Sequence, residues 1–238
     1  MTHFEFLIFS QTIMFKRRKI DLGSCLETIE TSQLRKREIR AENLHLDYFS
    51  LLSSDVASEL MQQLEDTVEY LTGDLSKVKV FGKWHQIPRQ QAAYGDQGTI
   101  YKFSGTSVPC KPWTETLISV RDLLKRVTGF NYNFVLINRY RDGNDHIGEH
   151  KDNESELDKG TPIASLSLGQ QRLFVLKHQD CRKKERTIAP VKIQLQHGSL
   201  LLMNPPTNNY WYHALPPCKR APGVRLNLTF RKINPKKT

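Results

Sequence analysis

The sequence predicts a mainly β, α+β fold in which helices in the N-terminal half precede a two-sheet jelly roll or barrel. From residue 131 onward, strand-length runs rich in Val, Ile, Leu, Phe and Tyr alternate with Gly, Pro, Asn and Asp. No helical pattern separates these runs, which argues against βαβ units and a parallel sheet. Both clear helical patterns of the chain lie before residue 131. The runs cover residues 131–140, 163–168, 173–177, 191–195, 199–203 and 224–231.

The first part of the chain differs in character from the rest. Residues 1–42 show no sustained hydrophobic period and hold many charges, so we predict a disordered basic tail. The basic run at 16–19 is typical of a nuclear import signal or a nucleic-acid contact, with a solvated tail as the alternative. It follows an apolar run at 4–15 that is too short to span a bilayer, whereas a secretion signal places its charges first. We expect a nuclear protein with no membrane segment.

The remaining residues, 43–238, are predicted to form one domain with its jelly-roll core at 131–238. Its first part, 43–130, holds two helices with short β-like pieces at 78–81 and 99–103 between them. One helix is expected to begin after the N-capping serines 53 and 54 and to end at Gly73, and the other to follow Pro112 and end at Gly129. Their apolar faces are Val56, Leu60, Leu64, Val68 and Leu71, and Trp113, Leu117, Val120, Leu124 and Val127.

Charge is abundant and unevenly distributed. Lys and Arg number 35 against 25 Asp and Glu, for a formal charge of +10, which favours an anionic partner such as nucleic acid. The hydrophobic fraction of 38% still suffices for a core, which excludes wholesale disorder. Residues 142–158 form an acidic insert, whereas 172–192 and 219–238 are basic. An acidic segment between basic ones is the arrangement that a cation site within a polyanion-binding surface needs. The alternative is that these segments are solvated surface loops.

A candidate metal site begins at His150-Lys151-Asp152. Residues two apart in extended chain point to the same side, so this histidine and carboxylate can bind one ion. His213 is the best candidate for a second histidine. Two histidines and one carboxylate occupy three adjacent corners of an octahedron, the ligand set of non-haem Fe(II) oxygenases. On its own, the H-x-D pattern is a weak signal, because most such tripeptides lie in surface loops.

The last predicted strand supports a polar pocket. Alternation places Arg225, Asn227, Thr229 and Arg231 on one face and the apolar residues between them on the other. Such a polar row is costly against an apolar core but suits a pocket for a dicarboxylate, which arginine binds through two hydrogen bonds. A half-exposed strand is the alternative. Asn138 and Tyr140 share a side of their own strand and offer hydrogen bonds to the same ligand.

Together these motifs resemble the AlkB family of Fe(II)- and 2-oxoglutarate-dependent dioxygenases, and in particular its vertebrate members that repair alkylated double-stranded DNA. The resemblance covers the chain from about residue 42 to its end. It rests on His150-x-Asp152, His213, Arg225-x5-Arg231 and the stretches 138–140, 146–150, 162–167, 197–199, 207–208 and 227–232.

The resemblance implies a double-stranded β-helix, or jelly roll, with a nucleotide-recognition lid. It implies Fe(II) on His150, Asp152 and His213, with 2-oxoglutarate and O2 as cosubstrates. It further implies oxidative demethylation of 1-methyladenine and 3-methylcytosine in duplex DNA, with single-stranded DNA as a second substrate, releasing formaldehyde, succinate and CO2. The residues implied to contact 2-oxoglutarate are Asn138, Tyr140, Arg225, Asn227, Thr229 and Arg231.

The N-terminal half carries the features expected for DNA handling. An enzyme acting on the Watson–Crick edge of a base must flip that base out and fill the gap. Phe81 matches the family's finger position and, with Gly82 and Lys83, suits an intercalating wedge, with a core Phe at a hairpin end as the alternative. The stretch at 177–186 suits phosphates of the other strand, with ordinary loops as the alternative. Further residues expected at the base or the DNA are Arg89, Gln91, Tyr101, Lys102 and Phe103.

The sequence departs from the family pattern at three places. Asn153 follows Asp152 where the resembled enzymes have an acid, which puts base preference in doubt. The stretch 182–187 is shorter than in those enzymes, and the tail lacks a clear motif for a replication clamp, so clamp contact has no direct support; we expect a monomer. Two other hypotheses are the same chemistry on RNA or protein, and a non-catalytic nucleic-acid-binding jelly roll. The complete ligand set and both arginines argue against the latter.

Overall fold

Two antiparallel sheets form the core of the protein, as the jelly-roll prediction requires. The computed structural model describes residues 20–80, 82–103, 106–152, 156–181, 183 and 186–234. In chain order the strands are β1 (Lys36–Ala41), β2 (Leu44–Ser50), β3 (Lys77–Val80), β4 (Lys83–Gln86), β5 (Gln90–Gly95), β6 (Ile100–Phe103), β7 (Thr106–Pro109), β8 (Phe134–Tyr140), β9 (Ile147–His150), β10 (Ile163–Gly169), β11 (Arg172–His178), β12 (Val191–Leu195), β13 (Ser199–Asn204), β14 (Trp211–Leu215) and β15 (Arg225–Arg231). The helices are α1 (Leu22–Glu27), α2 (Ser54–Thr67), α3 (Glu115–Thr128) and α4 (Thr207–Tyr210).

The large sheet has seven strands in the order β1-β2-β13-β10-β15-β8-β5, and the small sheet has four in the order β12-β11-β14-β9. The pairs β3–β4 and β6–β7 form separate hairpins. One apolar cluster lies between the sheets and includes Leu46, Leu201 and Trp211. A second packs the helices against the other face of the large sheet. The two faces of the large sheet are therefore both covered, and the functional site lies on the face toward the small sheet.

The two predicted helices are present, and one is shorter than expected. The Ser53 hydroxyl caps α2 by accepting from the Val56 N–H at 3.4 Å, and Gly129 ends α3 with φ 77°. The expected end of the first helix at Gly73 is wrong, because α2 ends at Thr67. Beyond that point the Leu71 N–H donates to the carbonyl of Gln91 on β5, so the segment around Leu71 is bound to β5 and does not continue the helix.

Part of the predicted disordered tail is ordered, so the boundary at residue 42 is wrong. Leu22 and Leu26, four residues apart on α1, are buried in the cluster beneath the helices. Further along, β1 pairs with β2 in register from Lys36 to Ala41. A single pair of leucines and a largely exposed edge strand carry too little periodicity to be recognised in the sequence. Residues 1–19, with the basic run, lie outside the described residues.

All six predicted strand runs correspond to strands of the two sheets, the first of them beginning at Phe134. Two strands of the small sheet, β9 and β14, were not predicted as strands. Each is only four or five residues long, and both carry residues of the site described below. Within the described part of the chain, no helix combines the length and apolar character needed to cross a membrane.

Candidate active site

Three candidate metal ligands converge because β9 and β14 pair. The register places His213 directly opposite His150, and Asp152 follows two residues after the end of β9. The Asp152 Oδ1 atom lies 3.6 Å from His150 Nε2 and 3.8 Å from His213 Nε2. All three ligand atoms fall within 4.8 Å of one another. The structure therefore brings the predicted triad close enough together for its three ligand atoms to bind one metal ion.

The two oxygens of Asp152 have different partners. Arg231 donates to Oδ2 through Nε at 3.0 Å and Nη2 at 2.7 Å, while Oδ1 faces the two histidines. Burial would raise the pKa of this carboxyl, but the positive charge of Arg231 and its hydrogen bonds to the carboxylate outweigh burial and lower it. Asp152 is therefore held as a carboxylate, with one oxygen neutralised by Arg231 and the other available to a metal.

Each histidine can offer a ring nitrogen to a metal. Burial, and after it the proximity of His150, lowers the pKa of His213 well below its usual range. The Nδ1 atom of His150 lies 2.9 Å from the Gly148 carbonyl oxygen. Because a carbonyl only accepts, Nδ1 carries the proton and leaves the Nε2 lone pair for the metal. The donor set thus fits an ion such as Fe(II), which takes imidazole and carboxylate ligands and leaves open coordination positions.

Asn208, on α4, fixes the backbone of Asp152. Its side-chain oxygen accepts from the Asp152 N–H at 3.0 Å, and its side-chain amide donates to the Asp152 carbonyl oxygen. The two bonds form a closed ring that holds the peptide units on both sides of the ligand. Asn208 belongs to a stretch that carries the family resemblance, but no role is predicted for it, because 56 positions separate it from Asp152 and no spacing rule links them.

The triad opens into a cavity of about 700 Å³ between the two sheets. The polar row of β15 faces this cavity, while Leu226, Leu228 and Phe230 pack into the cluster beneath the helices. The alternative of a half-exposed strand is wrong, because both of its arginines are buried. Thirteen of the predicted site residues line the cavity: Arg89, Gln91, Tyr101, Lys102, Asn138, Tyr140, His150, Asp152, His213, Arg225, Asn227, Thr229 and Arg231.

The neighbouring strands extend the polar row sideways. Register places Asn138 opposite Asn227 and Tyr140 opposite Arg225 across β8 and β15. Asn227 donates to the Ser165 hydroxyl at 2.8 Å and accepts from the Thr229 hydroxyl at 3.2 Å. Asn227 and Thr229 therefore already make hydrogen bonds within the protein, and fewer of their hydrogen-bonding groups are available to a ligand.

The two arginines of the row differ in their partners. Arg231 is bound to Asp152, whereas Arg225 donates from Nη2 to the Ser167 hydroxyl at 2.9 Å. Among the described residues, Nε and Nη1 of Arg225 have no hydrogen-bond acceptor, although the side chain is only 1% exposed. Burial lowers the pKa of Arg225 to about 10. A buried guanidinium with unused donors is costly unless an anion binds it, so Arg225 marks a carboxylate or similar site.

Arg172 supports the same end of the cavity and was not predicted in this role. It is fully buried and donates to the carbonyl oxygens of Asp142, Asp145 and Pro216 at 3.1, 2.9 and 2.8 Å. Its guanidinium lies 5.9 Å from the centre of the Tyr140 ring. Arg172 thus ties the acidic insert to β11 beside Tyr140, and its expected place on a basic surface is wrong.

The predicted DNA contacts fall into different places. Arg89 donates to Asn138 Oδ1 at 2.8 Å, and Gln91 donates to the same atom at 3.1 Å. Both therefore point toward the cavity, and the buried Gln91 does not reach a surface phosphate. Tyr101 stacks on Phe134 at 5.4 Å between ring centres, and Lys102 pairs with Glu156 at 3.0 Å. All four side chains line the space that a flipped base would enter.

The finger region is described only in part. Gly82 has φ 80° at the turn between β3 and β4, a conformation that favours glycine, and Lys83 next to it is exposed. Phe81, Asn153 and the side chain of Phe103 lie outside the described residues. Of the basic stretch expected to meet the other strand, Lys177 pairs with Glu149, and Arg186 pairs with Glu42 and Asp180. These pairs reduce the charge available for phosphates.

Comparison with known proteins gives consistent results. The family model described as the 2OG-Fe(II) oxygenase superfamily matches residues 46–231. The mouse protein named DNA oxidative demethylase ALKBH2 is 55% identical over 203 residues, which is 84% of this chain and 85% of the mouse protein. The human protein of that name is 55% identical over 199 residues, 83% of this chain and 76% of the human protein.

The fold also has a match among solved structures. "The structure of OsALKBH1" superposes with a TM-score of 0.55 at 17% sequence identity, covering 82% of this chain and 100% of that one. At this identity the match concerns the fold, and it agrees with the jelly-roll architecture of two antiparallel sheets.

Asn208→Ala is expected to weaken Fe(II) binding by about 10- to 100-fold, because the residue orients Asp152 without touching the metal. Anaerobic titration of the apoprotein with Fe(II) measures this affinity. Asn209→Ala is the matched control, since this neighbouring side chain is exposed and only its carbonyl is used, by Lys151. Equal affinities for the two variants would show that Asn208 does not position the ligand.

Proposed function

The chain belongs to the 2OG-Fe(II) oxygenase superfamily and within it to the AlkB family, and from this premise we propose that it repairs DNA by oxidative demethylation. It is a dioxygenase that uses Fe(II), 2-oxoglutarate and O2. The relatives that are 55% identical to it are named for DNA oxidative demethylation. The proposed substrates are 1-methyladenine and 3-methylcytosine in double-stranded DNA.

The unpaired donors of Arg225 in the cavity that holds the triad carry this proposal most directly. A dicarboxylate fits them because Arg231 is already committed to Asp152, which leaves Arg225 for the carboxylate far from the metal. The two arginines lie six positions apart, about 20 Å along β15, and both line the cavity. Tyr140 and Asn138 lie beside Arg225 and Asn227 and offer hydrogen bonds to the same ligand.

The residues of the chain prepare each part of the reaction. Bound iron and 2-oxoglutarate supply the oxidising chemistry that hydroxylates the N-methyl group, after which the hydroxymethyl group leaves as formaldehyde. Asp152, held as a carboxylate by Arg231, and His213, held neutral by burial, keep the ligand set intact at neutral pH. Tyr101 presents an aromatic ring at the cavity wall, where a flipped base would stack.

The proposal of duplex DNA as the preferred substrate rests on the β3–β4 hairpin. Its turn contains Gly82, which follows Phe81 in the sequence, and Val78 of the same hairpin lines the cavity. An apolar residue at this tip is suited to replace the base that enters the cavity. The monomeric state and the nuclear location stay predictions from the sequence, and contact with a replication clamp has no clear motif in its support.

Wild-type protein supplied with Fe(II) and 2-oxoglutarate is expected to release formaldehyde from duplex DNA carrying 1-methyladenine, and Asp152→Ala is expected to release none. The substitution removes a ligand and the carboxylate oxygen that accepts two hydrogen bonds from Arg231. Asp122→Ala, an exposed carboxylate on α3, controls for the loss of an acidic residue and should keep full activity. No turnover of any methylated duplex by iron-loaded wild type would overturn the proposal.

Phe81→Ala is expected to lower kcat/KM on duplex DNA by about tenfold and to leave single-stranded DNA much less affected. Only the duplex has a stacking gap to fill, and base–aromatic stacking contributes about 1–3 kcal/mol. Parallel kinetics on the two substrates measure the difference, with the exposed Phe130 changed to Ala as the control. Equal losses on both substrates would show that the residue is not a finger.

A further inference from the structure

The outer face of the β3–β4 hairpin carries an exposed indole that the proposed reaction does not use. Trp84 on β4 is 58% exposed, more than any other large apolar side chain that the structure describes. The other tryptophans are accommodated by the fold: Trp211 is buried, and Trp113 stacks on Phe230 and donates to Asp96. An exposed indole among polar residues is typical of an interaction site.

Cations surround this indole. Lys79 lies directly opposite Trp84 in the hairpin register, and its Nζ is 6.0 Å from the ring centre. Lys77 lies two residues along β3 on the same face, where it pairs with the exposed Asp74 at 3.2 Å, and Lys83 is exposed next to Trp84. Residues 77–86 hold no acid. We define Lys77, Lys79 and Trp84 as the outer face of the hairpin.

The opposite face of the hairpin faces the cavity. Strand alternation places Val78 on the reverse side from Lys77 and Lys79, and Val78 lines the cavity that holds the metal ligands. A nucleic-acid strand that delivers one nucleotide into this cavity must therefore pass close to the hairpin. The outer face would then meet the part of the strand beside the flipped nucleotide.

We infer that the outer face of the hairpin binds the sugar–phosphate backbone of the DNA flanking the flipped nucleotide. The inference rests on the proposed function and extends it to a contact distinct from the finger at Phe81. The indole packs against a deoxyribose, and the lysines meet phosphates, so the contact is independent of sequence. A flat protein partner would need a larger apolar patch than one indole surrounded by lysines.

Collisional quenching of tryptophan fluorescence tests the contact without catalysis. In the free protein, acrylamide should quench Trp84 preferentially, because it is the exposed tryptophan of the three in the chain. A lesion-free duplex should protect this component, and Trp84→Phe should remove it while Trp113→Phe keeps it. An unprotected Trp84 at saturating duplex would overturn the inference.

Affinity and its salt dependence separate the roles of the two residue types. Trp84→Ala should raise the Kd for lesion-free duplex about tenfold with an unchanged salt dependence, and Trp84→Phe should retain most of the affinity. Lys79→Ala should lower the slope of log K against log salt by about one. Both variants change exposed side chains, and thermal melting checks that they remain folded.

The outcomes also separate this inference from the proposed function. If Trp84→Ala binds duplex within twofold of wild type while wild type demethylates DNA, the outer face is not a DNA contact and the proposed function stands. If wild type neither binds nor demethylates any duplex, both are wrong. Protection and loss of affinity together support the inference even before a lesion is supplied.

Discussion

The burial of both faces of β15 is the constraint on which the rest of the site depends. One face packs Leu226, Leu228 and Phe230 beneath the helices, and each such burial contributes about 1.5–3 kcal/mol. The other face holds two buried arginines, whose desolvation is costly unless each finds a counter-charge. Packing of the apolar face therefore sets the position of the strand. The buried arginines on the polar face then require negatively charged partners. Asp152 supplies one of them from the protein, and the second must come from a ligand.

This demand links the metal centre to the cosubstrate pocket. Arg231 binds the oxygen of Asp152 that does not face the histidines. The polar face of β15 that is proposed to bind the cosubstrate therefore also orients a metal ligand. Asn208 fixes the same residue from the backbone side, and Arg172 secures the loop that leads into β9. Loss of any of these contacts is expected to act through the position of Asp152 or Tyr140, because none touches the metal directly.

The sequence was informative where local pattern and tertiary role agree. The alternation of residues 225–231 was sufficient to separate the polar and apolar faces, and Ser53 and Gly129 marked helix ends by their capping chemistry. It was uninformative where long-range contacts decide. Strands β9 and β14 are too short to show a period, and α1 buries only two leucines. The burial of Arg172 and the pairing of Asn208 with Asp152 depend on residues distant in sequence, so charge and spacing pointed elsewhere.

The most direct test of the central claim is the affinity for 2-oxoglutarate measured by calorimetry on Mn(II)-loaded protein, for wild type and Arg225→Gln. A 2-oxo acid of the same length without the second carboxylate serves as the matched ligand. Because truncating one side of a buried charge pair costs about 2–5 kcal/mol, the variant should bind 2-oxoglutarate about 30-fold or more weakly. It should also lose the preference for the dicarboxylate. Affinity within twofold of wild type, with the preference intact, would contradict the assignment of Arg225.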